Sequence, residues 1–384
     1  MRVLFAADVH PDLDSGAAGT EWQTIEALRR LGHEVDEVWA ADLGRRIKHG
    51  NLHYLLELPG AYRRVIAERC ARKDYDVIHA NQGHCYQAAR EHRCLRRSGA
   101  FVCRSHGLDD HMERVLAPWR SHLGVRSRRG VRMLSGGLLD TLLHRHDRLA
   151  YREADGVLVS ATTDARYLAE RMHVPAGRIG CIPQAPADAF VATPAALMSP
   201  ERLKRILHVG GFAYWKGVHA VAAAANDLLS RHPGACMTWV CRLDEHAQVR
   251  SLLDLAVHGR VELVGWVPQA RLVEIYDSHG IFLCPSLFEG FGKVFLEAMA
   301  RGMLVIGTPA GGMPDIIRDG VDGRIVGFND SAAIAHVVEA LWRAPEAAAA
   351  CSEAAARRAR EYSWNRVGRE TEAFYLRLLE MRTQ

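Results

Sequence analysis

Short apolar runs alternate along this chain with longer stretches in which apolar residues recur every three or four positions. The first forty residues show the pattern: a strand from Val3 to Val9, a loop with Gly16 and Gly19, then a helical spacing of Trp22, Ile25, Ala27, Leu28 and Leu31. Gly32-His33 stops that helix, and Val35 to Trp39 reads as the next strand. Similar strands are predicted at Val77-Ile78-His79-Ala80, Phe101-Val102-Cys103 and Gly156 to Ser160, each next to a helical pattern. Strands alternating with helices predict a parallel sheet covered on both faces. Periodicity fails over 183–200, where Pro183, Pro186, Pro194 and Pro200 interrupt, and this stretch reads as a connection between domains. The pattern restarts at Arg205-Ile206-Leu207-His208-Val209. Strands recur at Met237 to Val240, Val261 to Val264, Ile281 to Cys284 and Leu304 to Gly307.

The expected fold is therefore α/β, with two Rossmann-like doubly wound domains. The chain has 384 residues, and one core typically serves roughly 100 to 200. The boundaries expected are 1–185, a linker at 186–200, a second domain at 201–362, and a last helix at 363–384 that packs back on the first domain. The alanine-rich stretch around 344–356 favours helix over disorder.

Composition narrows the class. Hydrophobic residues make up 48% and charged residues 24%, as in a soluble globular protein. Val3 to Ala7 is too short an apolar run, and Asp8 follows too soon, for a signal peptide, so a cytoplasmic protein is expected. The nine cysteines include no C-x-x-C pair, and the 20 histidines include no H-E-x-x-H motif, so neither a disulfide framework nor a metal site is predicted. The net charge is +4, yet the eight arginines of residues 111–150 face only Glu113, Asp140 and Asp147.

Candidate chemistry concentrates in Pro285-Ser286-Leu287-Phe288-Glu289-Gly290-Phe291-Gly292-Lys293-Val294-Phe295-Leu296-Glu297, where a predicted strand gives way to a helix. Ligands of open α/β sheets bind at such junctions. Gly290 and Gly292 clear side chains from the helix start, so backbone N–H groups can approach a pyrophosphate or sugar hydroxyls. Glu289 and Glu297 lie about 12 Å apart along a helix axis at ~1.5 Å per residue, a span that suits two ends of one nucleotide sugar.

This segment resembles the E-x7-E signature of the retaining glycosyltransferases of family 4 (glycosyl transferases group 1), which have the GT-B architecture of two such domains facing a central cleft. The similarity extends through Arg205 to Val209, Lys216-Gly217, Val264-Gly265-Trp266-Val267-Pro268, Gly311-Gly312-Met313-Pro314-Asp315, Asp319-Gly320 and Gly323. By that resemblance Glu289 contacts the transferred sugar and Glu297 the ribose hydroxyls. Gly290, Phe291, Gly292 and Val294 line the donor, and Lys216 binds its phosphate. In the first half Gly32-His33-Glu34-Val35 and Asp76 to Ala80 look like the family's opening. Gly16 is then the glycine facing the donor phosphate, and Ser105-His106-Gly107 resembles the element whose histidine lies beside the donor sugar. The implied catalytic residues are His106, Lys216 and Glu289.

Two departures stand out. Gly210-Gly211-Phe212 replaces the family's Gly-Arg-Leu, removing one of two cations from the diphosphate, and Pro183-Gln184-Ala185 replaces Pro-Asn-Gly. Asp12-Leu13-Asp14 and Asp74-Tyr75-Asp76 have the form of a metal-diphosphate triplet from another glycosyltransferase fold, but their placement, in a loop and before a strand, assigns them no metal. Arg114, Arg120, Arg126, Arg128, Arg129 and Arg132 interleave with apolar residues, which suits either a solvated basic loop or a surface for anionic lipid. No nucleic-acid-binding module is recognised.

The resemblance implies hexosyl transfer from a UDP- or GDP-sugar to a saccharide or lipid-linked acceptor. It implies retention of anomeric configuration without metal or other cofactor, in bacterial-type surface polysaccharide or glycoconjugate synthesis, by a protein peripheral to the inner face of the membrane. A nucleotide-sugar epimerase of this fold and a silent nucleotide-sugar-binding protein remain open. A nicotinamide dehydrogenase is disfavoured, because Ala7 to Pro11 lacks G-x-G-x-x-G.

Overall fold

The computed structural model describes residues 1–12, 16–124 and 131–383, with only the backbone for 131–140. Two compact units result: Met1–Gln184 with Trp364–Gln384, and Ala185–Ser363.

Unit 1 holds a parallel sheet of β1 (Arg2–Ala6), β2 (Glu34–Val38), β3 (Val77–Asn81), β4 (Ala100–Arg104), β5 (Gly156–Val159) and β6 (Ile179–Cys181), in the order β2-β1-β3-β4-β5-β6. Strands β1, β3, β4 and β5 are apolar almost throughout because helices cover both faces. The glycines at 16 and 19, read as loop, instead form the first turns of the helix Gly16–Arg30, with Gly19 buried. The helix Trp364–Thr383 lies on β5 and β6. Glycines make room for it: a Cβ on Gly156 would stand 2.4 Å from Leu378 Cδ1, and one on Gly180 3.1 Å from the Phe374 ring.

Unit 2 holds β7 (Arg205–Val209), β8 (Cys236–Val240), β9 (Val261–Val264), β10 (Ile281–Cys284), β11 (Leu304–Gly307) and β12 (Arg324–Ile325), in the order β12-β11-β10-β7-β8-β9. All pair in parallel. Strand order reverses between β7 and β10, so the loops leaving these two strands face a topological switch point.

Sequence periodicity finds β1 to β5 and β7 to β11. It misses the edge strands β6, which carries Gly180 at its centre, and β12, which spans only Arg324–Ile325. The stretch 186–200 is not a free connection. It contains the helix Asp188–Val191, whose Phe190 is buried against Tyr276 with ring centroids 5.2 Å apart. The Arg301 guanidinium donates to the carbonyls of Thr193 and Pro194, both at 2.9 Å, and anchors the segment to unit 2.

Candidate donor site

In unit 2 the loop after β7 and the loop after β10 are locked together by backbone. Leu287 N–H donates to Trp215 O at 2.7 Å, and Gly217 turns in the left-handed region with φ 73°. A Cβ there would stand 2.0 Å from Pro285 O, so only glycine permits the approach. This close contact fixes Lys216 beside Glu289.

The Lys216 ammonium donates to both carboxylate oxygens of Glu289, at 2.8 and 2.9 Å, and Ser286 Oγ adds a bond to Oε1 at 2.8 Å. Glu289 is buried, and Lys216 keeps 31% of its side chain exposed. Burial opposes the charge on Lys216, but the Glu289 carboxylate outweighs it and holds the lysine above its ordinary range. The two residues read as separate sugar and phosphate ligands thus neutralise each other.

Gly292, with φ 92°, caps the helix Lys293–Ala300. Among the described residues no backbone acceptor takes the N–H groups of Gly290, Phe291, Gly292, Lys293 or Val294, at and just before the helix start. The Phe291 ring is buried against Phe295, with centroids 5.7 Å apart, and its carbonyl accepts from Gly312 at 2.9 Å, so only its amide can serve a ligand. Glu297 is buried too, 4% exposed, with Lys293 Nζ 3.9 Å away. Burial raises its pKa against the pull of Lys293 and the Ala187 amide.

Sequence reasoning missed Lys293, a second ammonium at this helix start, although its place directly after Gly292 was visible. It also missed His208 on β7, whose Nδ1 meets Leu283 O at 2.8 Å and whose pKa is pushed by burial down to about 4. Gly211 has room: a Cβ there would lie 3.5 Å from Glu245 Oε1, an ordinary contact. Arg242, in the loop after β8, is turned to Asp244 at 2.9 Å.

In unit 1, Gly16 opens its helix, exposed, with none of the described residues within 4 Å of a would-be Cβ. His106 follows β4, and its Nε2 contacts Glu21 Oε1. Glu21, on the helix Gly16–Arg30, is fully buried with Arg104 Nη1 3.6 Å from its other oxygen. Burial would raise the Glu21 pKa, but Arg104 and His106 hold it down at about 2. Sequence reasoning missed this pair. Gln184 accepts from Thr20 Oγ1 at 3.2 Å, tying the end of unit 1 to the same helix.

Among the described residues no group of three or more His, Cys, Asp or Glu stands where it could hold a metal ion. Leu13 and Asp14 of the first D-x-D triplet lie outside the described residues, as do Arg126, Arg128 and Arg129, and the side chain of Arg132 is not described. Arg114 pairs with Asp110 at 3.5 Å and Arg120 pairs with Glu113.

Both units carry the signature of one enzyme class. Residues 15–185 match the family Glycosyltransferase Family 4 and residues 192–358 match Glycosyl transferases group 1, so the chain carries both domains of a GT-B-type glycosyltransferase. It is 32% identical over 224 residues to the D-inositol 3-phosphate glycosyltransferase of Mycolicibacterium paratuberculosis, covering 56% of this chain and 50% of that one. It is 31% identical over 176 residues to the glycogen synthase of Mycobacterium tuberculosis, covering 44% and 42%. The chain thus spans about half the length of the curated relatives it matches. Among solved structures, sucrose-phosphate synthase from Thermosynechococcus elongatus superposes with a TM-score of 0.75 at 20% identity, covering 99% of this chain and 100% of that one. The Anabaena protein HepE, in complex with UDP and glucose, superposes with a TM-score of 0.67 at 16% identity, covering 97% and 98%.

Proposed function

We propose that this protein transfers a hexose-type unit from a UDP- or GDP-sugar to a saccharide or lipid-linked acceptor, with retention at the anomeric carbon and without a metal ion. The observation that carries the reading is the set of Lys216, Glu289 and Ser286 at the switch point beside a helix start with unfilled amides. An anionic diphosphate suits both the ammonium and the amides. Lys216 would leave Glu289 for the departing diphosphate, and the freed carboxylate would face the sugar as positive charge develops there. Gly290, Gly292 and Val294 would contribute amides, Glu297 the contact to ribose, Gly16 an amide to phosphate, and His106 a contact to the sugar. The acceptor oxygen attacks C1 on the face the phosphate leaves, the C1–O bond to phosphate breaks, and a phosphate oxygen takes the acceptor proton. HepE, with its UDP and glucose, supports a nucleotide-sugar donor.

Labelled UDP- and GDP-hexoses, with and without saccharide and polyprenyl-phosphate acceptors, test this. Acceptor-dependent transfer that persists in EDTA is expected. Donor conversion without acceptor would favour an epimerase, binding without turnover a silent protein, and loss in EDTA restored by magnesium would remove the metal-free reading.

The membrane role belongs to the same proposal and is narrowed by the ion pairs of Arg114 and Arg120. Attraction to anionic lipid then rests on Arg126, Arg128, Arg129 and Arg132. No helix among the described residues is long and apolar enough to cross a membrane. Sedimentation with anionic but not neutral vesicles, lost when Arg126, Arg128 and Arg129 become Ser, is the expected result for a peripheral protein of the inner membrane face.

A further inference from the structure

We infer that Glu21 is a positioning residue for His106: anchored in the core by Arg104, its carboxylate takes the Nε2–H of the imidazole and leaves Nδ1 as the nitrogen presented to the transferred sugar. This rests on the reading of His106 above and adds a residue that the sequence pattern did not assign.

The geometry is unusual for a structural acid. Carboxylates almost never lie fully buried unless they are paired, and Glu21 is 0% exposed while touching the one histidine of the β4 loop that remains partly open, at 14%. Each partner is held from behind. Arg104, 1% exposed at the end of β4, reaches Glu21 Oε2 at 3.6 Å and donates to Thr24 Oγ1 at 3.0 Å, one turn further along the Glu21 helix. Ser105 N–H donates to Leu158 O at 2.9 Å, and Ser105 Oγ donates to Gly107 O at 2.9 Å, which fixes the backbone on either side of His106. With Nε2 engaged on a carboxylate, the tautomer and ring plane are set by a group the substrate never touches.

The charged surroundings come from several elements. Glu21 and Arg104 are joined by His79 of β3, and by Asp8 after β1, with His53 beyond it. Burial drives His79 down to about 3, so it stays neutral, its Nδ1 meeting the Tyr375 hydroxyl at 2.5 Å. Burial raises Asp8, which weakens it as a competing anion. Glu21 is then the carboxylate in contact with the ring, and it fixes which ring nitrogen carries the proton.

The test uses the full chain with Glu21→Gln, which keeps size but removes charge, and Glu21→Asp, which keeps charge but retracts it. In Glu21→Gln, kcat should fall roughly tenfold or more with donor KM nearly unchanged. The ring nitrogens of His106, followed by NMR of nitrogen-labelled histidine and assigned with His106→Gln, should report the proton on Nε2 in the wild type, and Glu21→Gln should weaken that preference. Glu21→Asp should lose turnover and retain more of the preference, and it decides the matter if the buried Arg104 left unpaired prevents Glu21→Gln from folding. Wild-type kcat in folded Glu21→Asp and Glu21→Gln, or a wild-type His106 that carries its proton on Nδ1, overturns the inference. Failure to find transfer in the wild type would sink the proposed function alone, since the NMR spectrum reads the pairing without turnover.

Discussion

A lysine held by both oxygens of a carboxylate is not free to bind a phosphate, and the resting state of Lys216 is of this kind. Donor binding exchanges one anion for another, so the two partners should respond in opposite directions. Replacing Glu289 by Gln releases Lys216, and UDP affinity should hold or rise while turnover falls; weaker UDP binding in a folded Glu289→Gln protein, measured by calorimetry, would contradict the exchange. Replacing Lys216 by Met removes a charge-assisted contact of ~1.5 to 3 kcal/mol, or roughly 10- to 150-fold in kcat/KM. It also strands a buried carboxylate, so Tm should drop as well. Gly211→Arg should partly rescue Lys216→Met, since the Cβ fits. The rescue should grow when Glu245, 3.5 Å from that Cβ, becomes Gln and no longer competes for the guanidinium. No rescue in either background would place the missing cation elsewhere, with Lys293 the candidate. Spacing singled out Glu289 and Glu297 in the sequence, and the family resemblance added Lys216. The pairing was not legible, because Lys216 and Glu289 stand 73 positions apart and meet only when two loops converge. Glu21 was illegible for another reason: a polar residue in an amphipathic helix reads as solvated until the fold buries it.

At the scale of elements, glycines decide how closely the loops after β7, β10 and β11 approach. Gly311 has φ 57°, and a Cβ there would stand 2.6 Å from Glu289 Cβ and 2.8 Å from Phe291 O. Gly311→Ala should therefore push Glu289 off Lys216, lowering turnover and costing about 1 to 3 kcal/mol from the strained backbone. Gly16→Ala is the contrasting case, because none of the described residues lies within 4 Å of its Cβ. Its stability should change by less than about 1 kcal/mol, in either direction, and any effect should appear in donor KM if the Gly16 amide meets phosphate. An unchanged kcat/KM in Gly311→Ala, with thermal stability intact, would show that this packing does not position Glu289. The same scale explains what the apolar pattern conveyed. Central strands such as β4 and β10 are buried on both faces and stand out as apolar runs, whereas edge strands β6 and β12 carry little burial to announce them. The stretch 186–200 misled because Phe190 and the Arg301 bonds hold it through partners distant in sequence.

Across the whole molecule both units should lose stability in mild acid. An unfolded histidine binds a proton near pH 6.5, whereas burial holds folded His208 and His279 in unit 2 neutral down to about 4. Between those values the unfolded chain binds more protons than the folded one, so stability falls as pH falls from 6.5 towards 4. Each histidine contributes about 1.4 kcal/mol per pH unit over that window. Glu297, raised by burial, works the other way, since the folded form keeps a proton that the unfolded form releases above its ordinary range. Two depressed bases against one raised acid leave unit 2 losing stability on acidification. Unit 1 holds five histidines depressed chiefly by burial, His33, His79, His84, His92 and His146. Against them stand Asp8, Asp109, Asp147 and Asp164, all raised chiefly by burial from an ordinary range well below that of histidine, so the histidines dominate just below pH 6.5 in this unit too. The depressed Glu21 adds a loss only at lower pH, below the ordinary glutamate range and down to about 2. Hydrogen exchange resolved by peptide, from pH 7 to 5 with intrinsic rates corrected, should therefore show both units opening more readily. His279→Gln should flatten the unit 2 slope by about 1.4 kcal/mol per pH unit if the glutamine still reaches Thr238, which His279 Nε2 meets at 2.8 Å. A stability that does not change from pH 7 to 5 in either unit would show that the buried histidines take up protons without unfolding.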